Sequence, residues 1–402
     1  MIVRLQRVAL ENFLTWETLD WVPREGLNCL VGANDSGKSN LLRAFEFVAL
    51  LAQRPLDGVF TEEKPFLAWV TAGRRPKVRI SFEGSHKFEE EELPFQYSVT
   101  IVQPISGIAA RVEQETLSVG GHSLVLDGRN LRRRFAAEPD WTWEGFPRHV
   151  TLAYVLLNTN SVDHEQAEQI VRDPLRRLAS DLSHFLRLQL VAAAIREACP
   201  LKLSQSNLEP SGKNLAHGIA RLVQNPESRT IFESIRQAVG ELIPGVKDLG
   251  TRTLSDASGV DKIVLRFGAA MDGKTYYFDA DSASDGILYL TALVALSQFP
   301  NTSGLTLLEE PEIGLHPKLV ESAMKLLAHY VQRTQQQVFL TTHSPIVLNE
   351  LEPENVWVVT RDQGNISRIF PMAEFSELDR WRDNFGSGEI WQTLGESTLT
   401  GA

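Results

Sequence analysis

Residues 30–42, LVGANDSGKSNLL, decide the fold of this chain. They fit the pattern G-x-x-x-x-G-K-[ST], which is the phosphate-binding P-loop. An apolar strand over residues 27–31 precedes the loop, and a segment with helical periodicity follows over residues 40–51. In this setting the glycines let backbone N–H groups approach phosphate oxygens, and the helix dipole favours the negative charge. The alternative is a strand, turn and helix that merely need glycine.

The loop therefore contains the candidate residues for ATP binding. We expect the ammonium of Lys38 to reach the outer phosphates and the hydroxyl of Ser39 to contact Mg²⁺. ATP and Mg²⁺ are thus the expected cofactors. The full candidate set is Gly32, Asn34, Asp35, Ser36, Gly37, Lys38, Ser39 and Asn40.

Composition limits the classes of function. The chain has 402 residues, 43% of them hydrophobic, and only two cysteines, which excludes a disulfide framework and argues against a cysteine zinc site. No apolar run approaches the ~18 residues of a membrane span, so we expect a cytoplasmic protein. The net charge of −11 argues against nucleic-acid binding over the whole surface. Local basic clusters at 73–77 and 132–134 leave DNA contact open, although solvated surface is the commoner explanation.

Two acidic residues end a second apolar strand at residues 304–311, GLTLLEEP. This is the Walker B form, in which a carboxylate at the end of the strand holds Mg²⁺. Because successive side chains on a strand point in opposite directions, Glu309 and Glu310 cannot do the same job. We assign Glu309 to the metal and Glu310 to the general base that activates water. A solvated strand end is the alternative.

Two further segments could contact phosphate. Residues 338–345, VFLTTHSP, form an apolar strand that ends near His343, where a side chain could sense the terminal phosphate. Residues 281–286 open a helix over 287–299 that is apolar nearly all round, and such a helix start suits an anion. The alternatives are a structural histidine and ordinary N-capping.

Taken in order, these motifs resemble the ABC-type ATPase heads of the SMC, RecF and OLD-like superfamily. The resemblance implies an α/β fold of P-loop NTPase type, with a mixed core sheet, a flanking antiparallel β layer and a helical insertion. It also implies that two heads enclose two ATP molecules, each P-loop facing the signature helix of the other head. By this resemblance Ser284, Asp285 and Gly286 are a variant signature, and His343 is the switch histidine.

The resemblance extends to other segments. Residues 312–317, EIGLHP, are similar to a family segment that places His316 near the dimer interface. Glu309 stands where the family more often has Asp. The resemblance also implies a glutamine that links the nucleotide to a helical arm. We expect it between residues 78 and 165, with Gln103 as a candidate. The end of the chain, residues 381–396, is also similar to the end of these ATPases.

The chain divides into three predicted segments. Residues 1–162 form an N-terminal ATPase lobe, 163–245 a helical arm or lid, and 246–402 a C-terminal ATPase lobe. Periodicity within the arm predicts helix over residues 173–197. Residues 344–402 hold two predicted strands and one helix, which leaves no room for the Toprim nuclease domain of OLD-type nucleases. We therefore expect any effector activity to come from another chain.

These observations lead to a hypothesis and two alternatives. We expect an ATP-hydrolysing switch that forms a homodimer around ATP, with assembly above the dimer left open. It would control a separate nuclease or toxin in defence against phage or foreign DNA. The alternative is a RecF-like ATPase in DNA repair, in which DNA is bound directly. A scaffold with an inactive site is disfavoured, because Lys38, Glu310 and His343 are all in place.

Overall fold

The computed structural model describes residues 3–104, 108–201, 208–255, 261–299, 305–375 and 386–400. Gly304 and residues 381–385, which belong to predicted segments, lie outside these ranges. The strands are β1 (Val3–Phe13), β2 (Trp16–Trp21), β3 (Leu27–Val31), β4 (Lys77–Phe88), β5 (Glu91–Val102), β6 (Arg111–Val119), β7 (His122–Asp127), β8 (Asn130–Arg134), β9 (Trp141–Glu144), β10 (Phe185–Leu188), β11 (Cys199–Pro200), β12 (Val246–Ser255), β13 (Asp261–Met271), β14 (Lys274–Asp279), β15 (Leu305–Glu309), β16 (Val338–Thr342), β17 (Val356–Arg361) and β18 (Ser367–Pro371).

Helices connect and cover these strands. The α-helices are α1 (Lys38–Gln53), α2 (Leu56–Val59), α3 (Leu152–Leu157), α4 (His164–Glu168), α5 (Asp173–Ser183), α6 (Ala192–Arg196), α7 (Leu215–Gln224), α8 (Arg229–Leu242), α9 (Asp285–Gln298), α10 (Pro317–Thr334), α11 (Pro345–Asn349) and α12 (Ser387–Thr400). Short 3-10 helices span Phe66–Trp69, Thr159–Ser161, Pro226–Ser228, Ala280–Ser282, Pro353–Asn355 and Met372–Glu374.

A six-stranded mixed sheet carries the motifs. Its order is β10-β15-β16-β3-β17-β18, and all neighbouring strands are parallel except β17 and β18. The P-loop strand β3 and the acidic strand β15 therefore flank β16, which ends just before His343. Because the carboxyl ends of parallel strands meet at one edge of a sheet, this order brings the three motifs together.

An eight-stranded antiparallel sheet forms a second layer, in the order β2-β1-β4-β5-β6-β7-β8-β9. Helix α1 packs between this layer and the mixed sheet. Its Phe45 stacks on Phe82 of β4, with ring centroids 5.1 Å apart, and on Phe339 of β16, at 5.4 Å. The prediction of a mixed core sheet with a flanking antiparallel layer is therefore confirmed.

A third sheet, β11-β13-β12 with β14 also paired to β13, contributes to a second apolar cluster with α7, α8 and α9. Helix α9 is buried along nearly its whole length, as its composition predicts. Leu288, Leu290 and Val294 are all 0% exposed. This burial fixes the start of α9 relative to the rest of the molecule.

The prediction of helix over residues 173–197 is wrong in its middle. The segment consists of α5, then strand β10, then α6. Strand β10 lies at the edge of the mixed sheet, where Phe185 pairs with Leu305 of β15 in parallel register. Four residues are too few to show a period, so pairing with β15 and not local sequence decides this strand. The three-segment division at 162 and 245 stays a prediction, and the middle segment contains the strands β10 and β11 besides its helices.

The buried carboxyl group of Glu115 in β6 leads us to expect that the free energy of unfolding falls as the pH rises. Its carboxyl is 1% exposed and accepts a hydrogen bond from the backbone N–H of Leu152, with N and O 2.6 Å apart. Burial raises the pKa of Glu115 from 4.5 to about 8. Between these values the folded protein holds a proton that the unfolded chain has lost. The stability that this proton contributes is complete below the unfolded pKa and is lost as the pH rises through the folded pKa.

We expect the substitution Glu115→Gln to remove this contribution to the pH dependence. Urea unfolding between pH 5 and 8 should show the wild-type free energy of unfolding falling relative to the variant, by at most ~1.4 kcal/mol per pH unit. The exposed Glu144→Gln is the matched control and should follow the wild type. Parallel profiles for wild type and Glu115→Gln would contradict the assignment.

Candidate functional site

The P-loop joins β3 to α1 in a conformation that requires glycine. Gly32 has a φ of +156°, and a Cβ there would lie 2.1 Å from the carbonyl oxygen of Val359. Gly37 has a φ of +111°, and its Cβ would lie 2.1 Å from the hydroxyl oxygen of Ser367. Both distances are far below van der Waals contact. The loop therefore packs so closely on β17 and β18 that no side chain fits at either position.

Residues distant in sequence brace the loop. The hydroxyl oxygen of Ser367 lies 2.7 Å from the carbonyl oxygen of Ser36 and 2.7 Å from the hydroxyl oxygen of Thr15. Arg361 forms an ion pair with Asp35, which has a positive φ of 66°. None of these three braces, Thr15, Arg361 and Ser367, is indicated by a sequence motif. Arg361 and Ser367 reach the loop because β17 lies beside β3 and β18 beside β17, whereas Thr15 comes from the turn between β1 and β2.

Lys38 is held inside the loop. Its side-chain nitrogen donates hydrogen bonds to the carbonyl oxygens of Gly32 and Ala33, each at 2.7 Å, and the residue is 5% exposed. The ammonium is therefore already positioned where the loop would enclose phosphate. Asn34 and Asp35 are exposed, whereas Ser36 and Gly37 are buried and Ser39 and Asn40 are half-buried. Asn40 donates a hydrogen bond to the hydroxyl of Thr15 at 3.1 Å.

The two acidic residues after the Walker B strand have different surroundings, as the sequence predicts. Glu309 is 7% exposed and pairs with Arg187 of β10, with N and O 2.9 Å apart. Glu310 has a positive φ of 44°, and its Oε1 lies 3.5 Å from Nε2 of His343. Its side chain is 36% exposed. The predicted general base thus contacts the predicted switch histidine and is open to solvent.

His343 also lies within the electrostatic reach of the P-loop. Burial lowers its pKa, the charge of Lys38 lowers it further, and Glu310 opposes both effects. The lowered pKa favours the neutral form of the imidazole. Its backbone N–H donates to Glu312 at 3.3 Å, and the hydroxyl of Thr342 donates to the same carboxylate oxygen. Glu312, which sequence reasoning did not single out, ties the acidic loop to the end of β16.

A cavity of about 270 Å³ lies where these elements meet. Ser39, Glu309 and Glu310 are among the residues that line it. The structure thus brings together the predicted metal ligands, Ser39 and Glu309, on the same cavity as the predicted base. A hydroxyl and a carboxylate are the hard oxygen donors that Mg²⁺ prefers beside a phosphate, so the residues fit the ion.

Gln189 is a residue beside the cavity that sequence reasoning did not single out. It follows β10 directly and lines the same cavity. The earlier candidate, Gln103, follows β5 in the antiparallel layer, where it donates to the carbonyl of Ile108, and it is not among the lining residues of the cavity. The expectation of a linking glutamine between residues 78 and 165 stays a prediction. A strand assignment at residues 185–188 would have indicated Gln189.

The three predicted signature residues lie at the start of α9. Ser284 caps the helix, with its hydroxyl accepting from the backbone N–H of Ile287 at 3.4 Å. Asp285 forms an ion pair with Arg196 of α6, and Gly286 is half-buried. Ser284 and Asp285 are exposed, and none of the three is among the residues that line the cavity. His316 is likewise exposed and caps α10, accepting from the N–H of Lys318 at 3.3 Å.

The close packing around Gly37 leads to a testable prediction about the affinity for ATP. We expect Gly37→Ala to strain the loop and weaken ATP binding by at least ~10-fold, because the new methyl group would displace Ser367. Titration with a fluorescent ATP analogue measures the affinity, and thermal unfolding measures the accompanying loss of stability. Gly58→Ala is the matched control, since its Cβ would make only ordinary contact at 3.5 Å. Unchanged affinity in Gly37→Ala would show that the loop has room to adjust.

Known proteins are similar to most of this chain. A family model described as "AAA domain, putative AbiEii toxin, Type IV TA system" matches residues 27–159 and 156–349. The OLD nuclease of Thermus scotoductus is 22% identical over 98% of this chain and 70% of its own length. The DNA replication and repair protein RecF of Stenotrophomonas maltophilia is 25% identical over 52% of this chain. The chain spans 62% of the length of that RecF, which is less than two thirds.

A solved structure shows the same fold. The SMC head bound to the C-terminal winged-helix domain of ScpA has a TM-score of 0.50, with 14% identity, over 92% of this chain and 98% of that chain. Within the ranges that the model describes, no helix is long and apolar enough to cross a membrane. Since the family model matches most of residues 27–349, this chain belongs to that AAA-domain family and is an ABC-type ATPase of the SMC, RecF and OLD superfamily.

Proposed function

We propose that this ATPase is a switch in which ATP and Mg²⁺ join two copies head to head, and that the closed dimer controls a separate effector. One observation carries the proposal. The cavity is lined by Ser39, Glu309 and Glu310, and also by Tyr289 and Leu293 within α9. The predicted signature residues Ser284 and Asp285 at the start of that helix are instead exposed and do not line the cavity. A second copy that presents its α9 start would complete the site, and His316 would then lie near the contact.

Each side chain has a role in this proposal. Lys38 binds the outer phosphates, and Glu310 accepts the proton of the water that attacks the terminal phosphorus. His343 lies beside Glu310, with Nε2 3.5 Å from Oε1, and would hold that carboxylate toward the phosphate. Ser39 and Glu309 hold Mg²⁺, which offsets the negative charge on the phosphate oxygens. Loss of the terminal phosphate removes charge-assisted hydrogen bonds across the dimer, so hydrolysis reopens it.

For the biological role we propose defence against phage or foreign DNA, with a nuclease or toxin as the effector. The family description names a toxin of a type IV toxin–antitoxin system, and one relative is named as an OLD nuclease. The alternative role is DNA repair, which the RecF relative supports. Only part of the two basic clusters is free to contact DNA directly. Arg75, Arg132 and Arg134 are exposed, whereas Arg133 is 7% exposed and bonded to the carbonyl of Gln169 and Arg74 is paired with Glu17. Steeply salt-dependent binding of duplex DNA with ATP would favour the alternative.

A mixing experiment tests the shared site. Lys38→Ala disables the P-loop and Ser284→Arg disables the signature, so each variant alone should be inactive. In a mixed dimer, one site combines the intact P-loop of one copy with the intact signature of the other. An equal mixture should therefore recover hydrolysis that neither variant shows alone, up to about half of the wild-type rate, since each mixed pair has one intact site out of two. No recovery at concentrations where wild type is active would refute the shared site.

A further inference from the structure

Arg187 of β10 bridges two carboxylates beside the cavity. Its Nε and Nη2 contact Oε1 of Glu309 at 3.2 Å and 2.9 Å. Its Nη1 contacts Oε2 of Glu46 at 2.6 Å. The side chain of Arg187 is 16% exposed, that of Glu309 is 7% exposed, and that of Glu46 is 40% exposed. The guanidinium therefore links the acidic strand to the P-loop helix largely out of solvent.

The fold places this bridge without distortion. Strand β10 runs parallel to β15 with Arg187 opposite Leu307, so a long side chain reaches Glu309 two residues further on. Glu46 lies on α1, two helical turns beyond Ser39. Both ends of the bridge thus belong to elements that also carry a predicted metal ligand. A movement of α1 relative to β15 would have to break it.

The charges of Arg187 and Glu46 still allow Glu309 to bind a cation. Glu46 balances the charge of Arg187, so the group of three retains one net negative charge. Both contacts from Arg187 go to Oε1, which leaves Oε2 as the oxygen that can face an ion or its bound water. A glutamate also has one more rotatable bond than the aspartate more usual in this position, and the planar fork of an arginine can fix that bond.

We propose that Arg187 is a positioning residue, anchored by Glu46, that orients Glu309 toward Mg²⁺ beside the phosphates of ATP. This rests on the metal role proposed for Glu309. The contrary possibility is that Arg187 competes with the cation for Glu309. The two possibilities predict opposite changes in metal affinity, because removal of a positioning residue weakens metal binding and removal of a competitor strengthens it.

The test uses Mn²⁺ as the probe. Electron paramagnetic resonance of free Mn²⁺ gives the affinity of the full-length protein for the ion in the presence of a non-hydrolysable ATP analogue. We expect Arg187→Met to weaken Mn²⁺ binding by at least ~10-fold, the usual scale for losing a group that orients a metal ligand. Arg187→Lys should recover only part of the affinity, because an ammonium cannot form the fork. Unchanged or tighter Mn²⁺ binding in Arg187→Met would overturn the proposal.

A second arginine fork supplies the control for stability. Arg172 contacts Glu138 through Nε and Nη2 at 3.2 Å and 2.8 Å, on elements that do not line the cavity. Arg172→Met should leave Mn²⁺ binding unchanged. If Arg187→Met is unstable because it leaves two carboxylates unpaired, the double variant Arg187→Met with Glu46→Gln reduces that repulsion. We expect it to bind Mn²⁺ as weakly as the single variant, and wild-type affinity in it would overturn the proposal.

One further variant tests the role of Glu309 as a metal ligand separately from the positioning role of Arg187. Glu309→Gln should weaken Mn²⁺ binding if Glu309 is a metal ligand. If Glu309→Gln has no effect, the metal assignment itself fails. If Glu309→Gln weakens binding and Arg187→Met does not, only the positioning role of Arg187 fails.

Discussion

Replacing Glu310 by glutamine should lower the steady-state rate of ATP hydrolysis by at least ~100-fold, the usual effect of losing a general base. The carboxylate is half-exposed and its Oε1 lies 3.5 Å from Nε2 of His343, so it can reach both water and the predicted switch histidine. Glutamine has nearly the same shape but cannot accept the proton. ATP affinity should stay within about 3-fold of wild type, because binding depends on the P-loop.

Two measurements and one control variant test the expected loss of hydrolysis in Glu310→Gln. Phosphate release gives the rate, and light scattering after size exclusion should show ATP-bound dimer accumulating, since hydrolysis no longer reopens it. Glu352→Gln changes an exposed glutamate and should behave as wild type in both assays. Unchanged turnover in Glu310→Gln would refute its role as the base, and loss of ATP binding would show that it acts in the ground state.

Introducing arginine at Ser284 should abolish both dimer formation and hydrolysis while each P-loop still binds ATP. Ser284 is exposed at the start of α9, so the long side chain does not enter the core. It would instead occupy the surface that must approach the partner's phosphates. We expect the rate of hydrolysis to fall by at least ~100-fold, because the site would lack the donors that stabilise transition-state charge.

The substitution also removes a helix cap. The resulting loss of stability must be separated from the effect on dimer formation and hydrolysis. The hydroxyl of Ser284 accepts from the N–H of Ile287, and losing such a cap costs about 1 kcal/mol. Ser284→Asn is the matched control, because asparagine caps helices well and adds little bulk. We expect it to retain the stability and most of the dimerisation. If Ser284→Arg still dimerises with ATP, the role of this residue in the partner's site is wrong.

The local motifs could be predicted because phosphate chemistry constrains neighbouring residues. A loop that wraps phosphate needs glycines and a lysine at set spacing, so the sequence alone indicated Lys38 and the strand before it. The acidic pair was visible for a similar reason, since two carboxylates at the end of an apolar run indicate the metal-binding end of a strand. Alternation along the strand does not set their directions, because β15 ends at Glu309 and Glu310 has a positive φ of 44°. Both motifs are contiguous, and their geometry is local.

The sequence by itself determined the family, the motif residues and the nature of the nucleotide site, because those features depend on short stretches of chain. Tertiary structure alone decided which distant side chains reach that site. Arg187 and Gln189 are brought there only because β10 pairs with β15, and Ser367 reaches the P-loop only because β18 lies beyond β17. The order of strands in a sheet depends on packing over the whole core. A four-residue strand, such as β10, carries too little periodicity to reveal its place in that order.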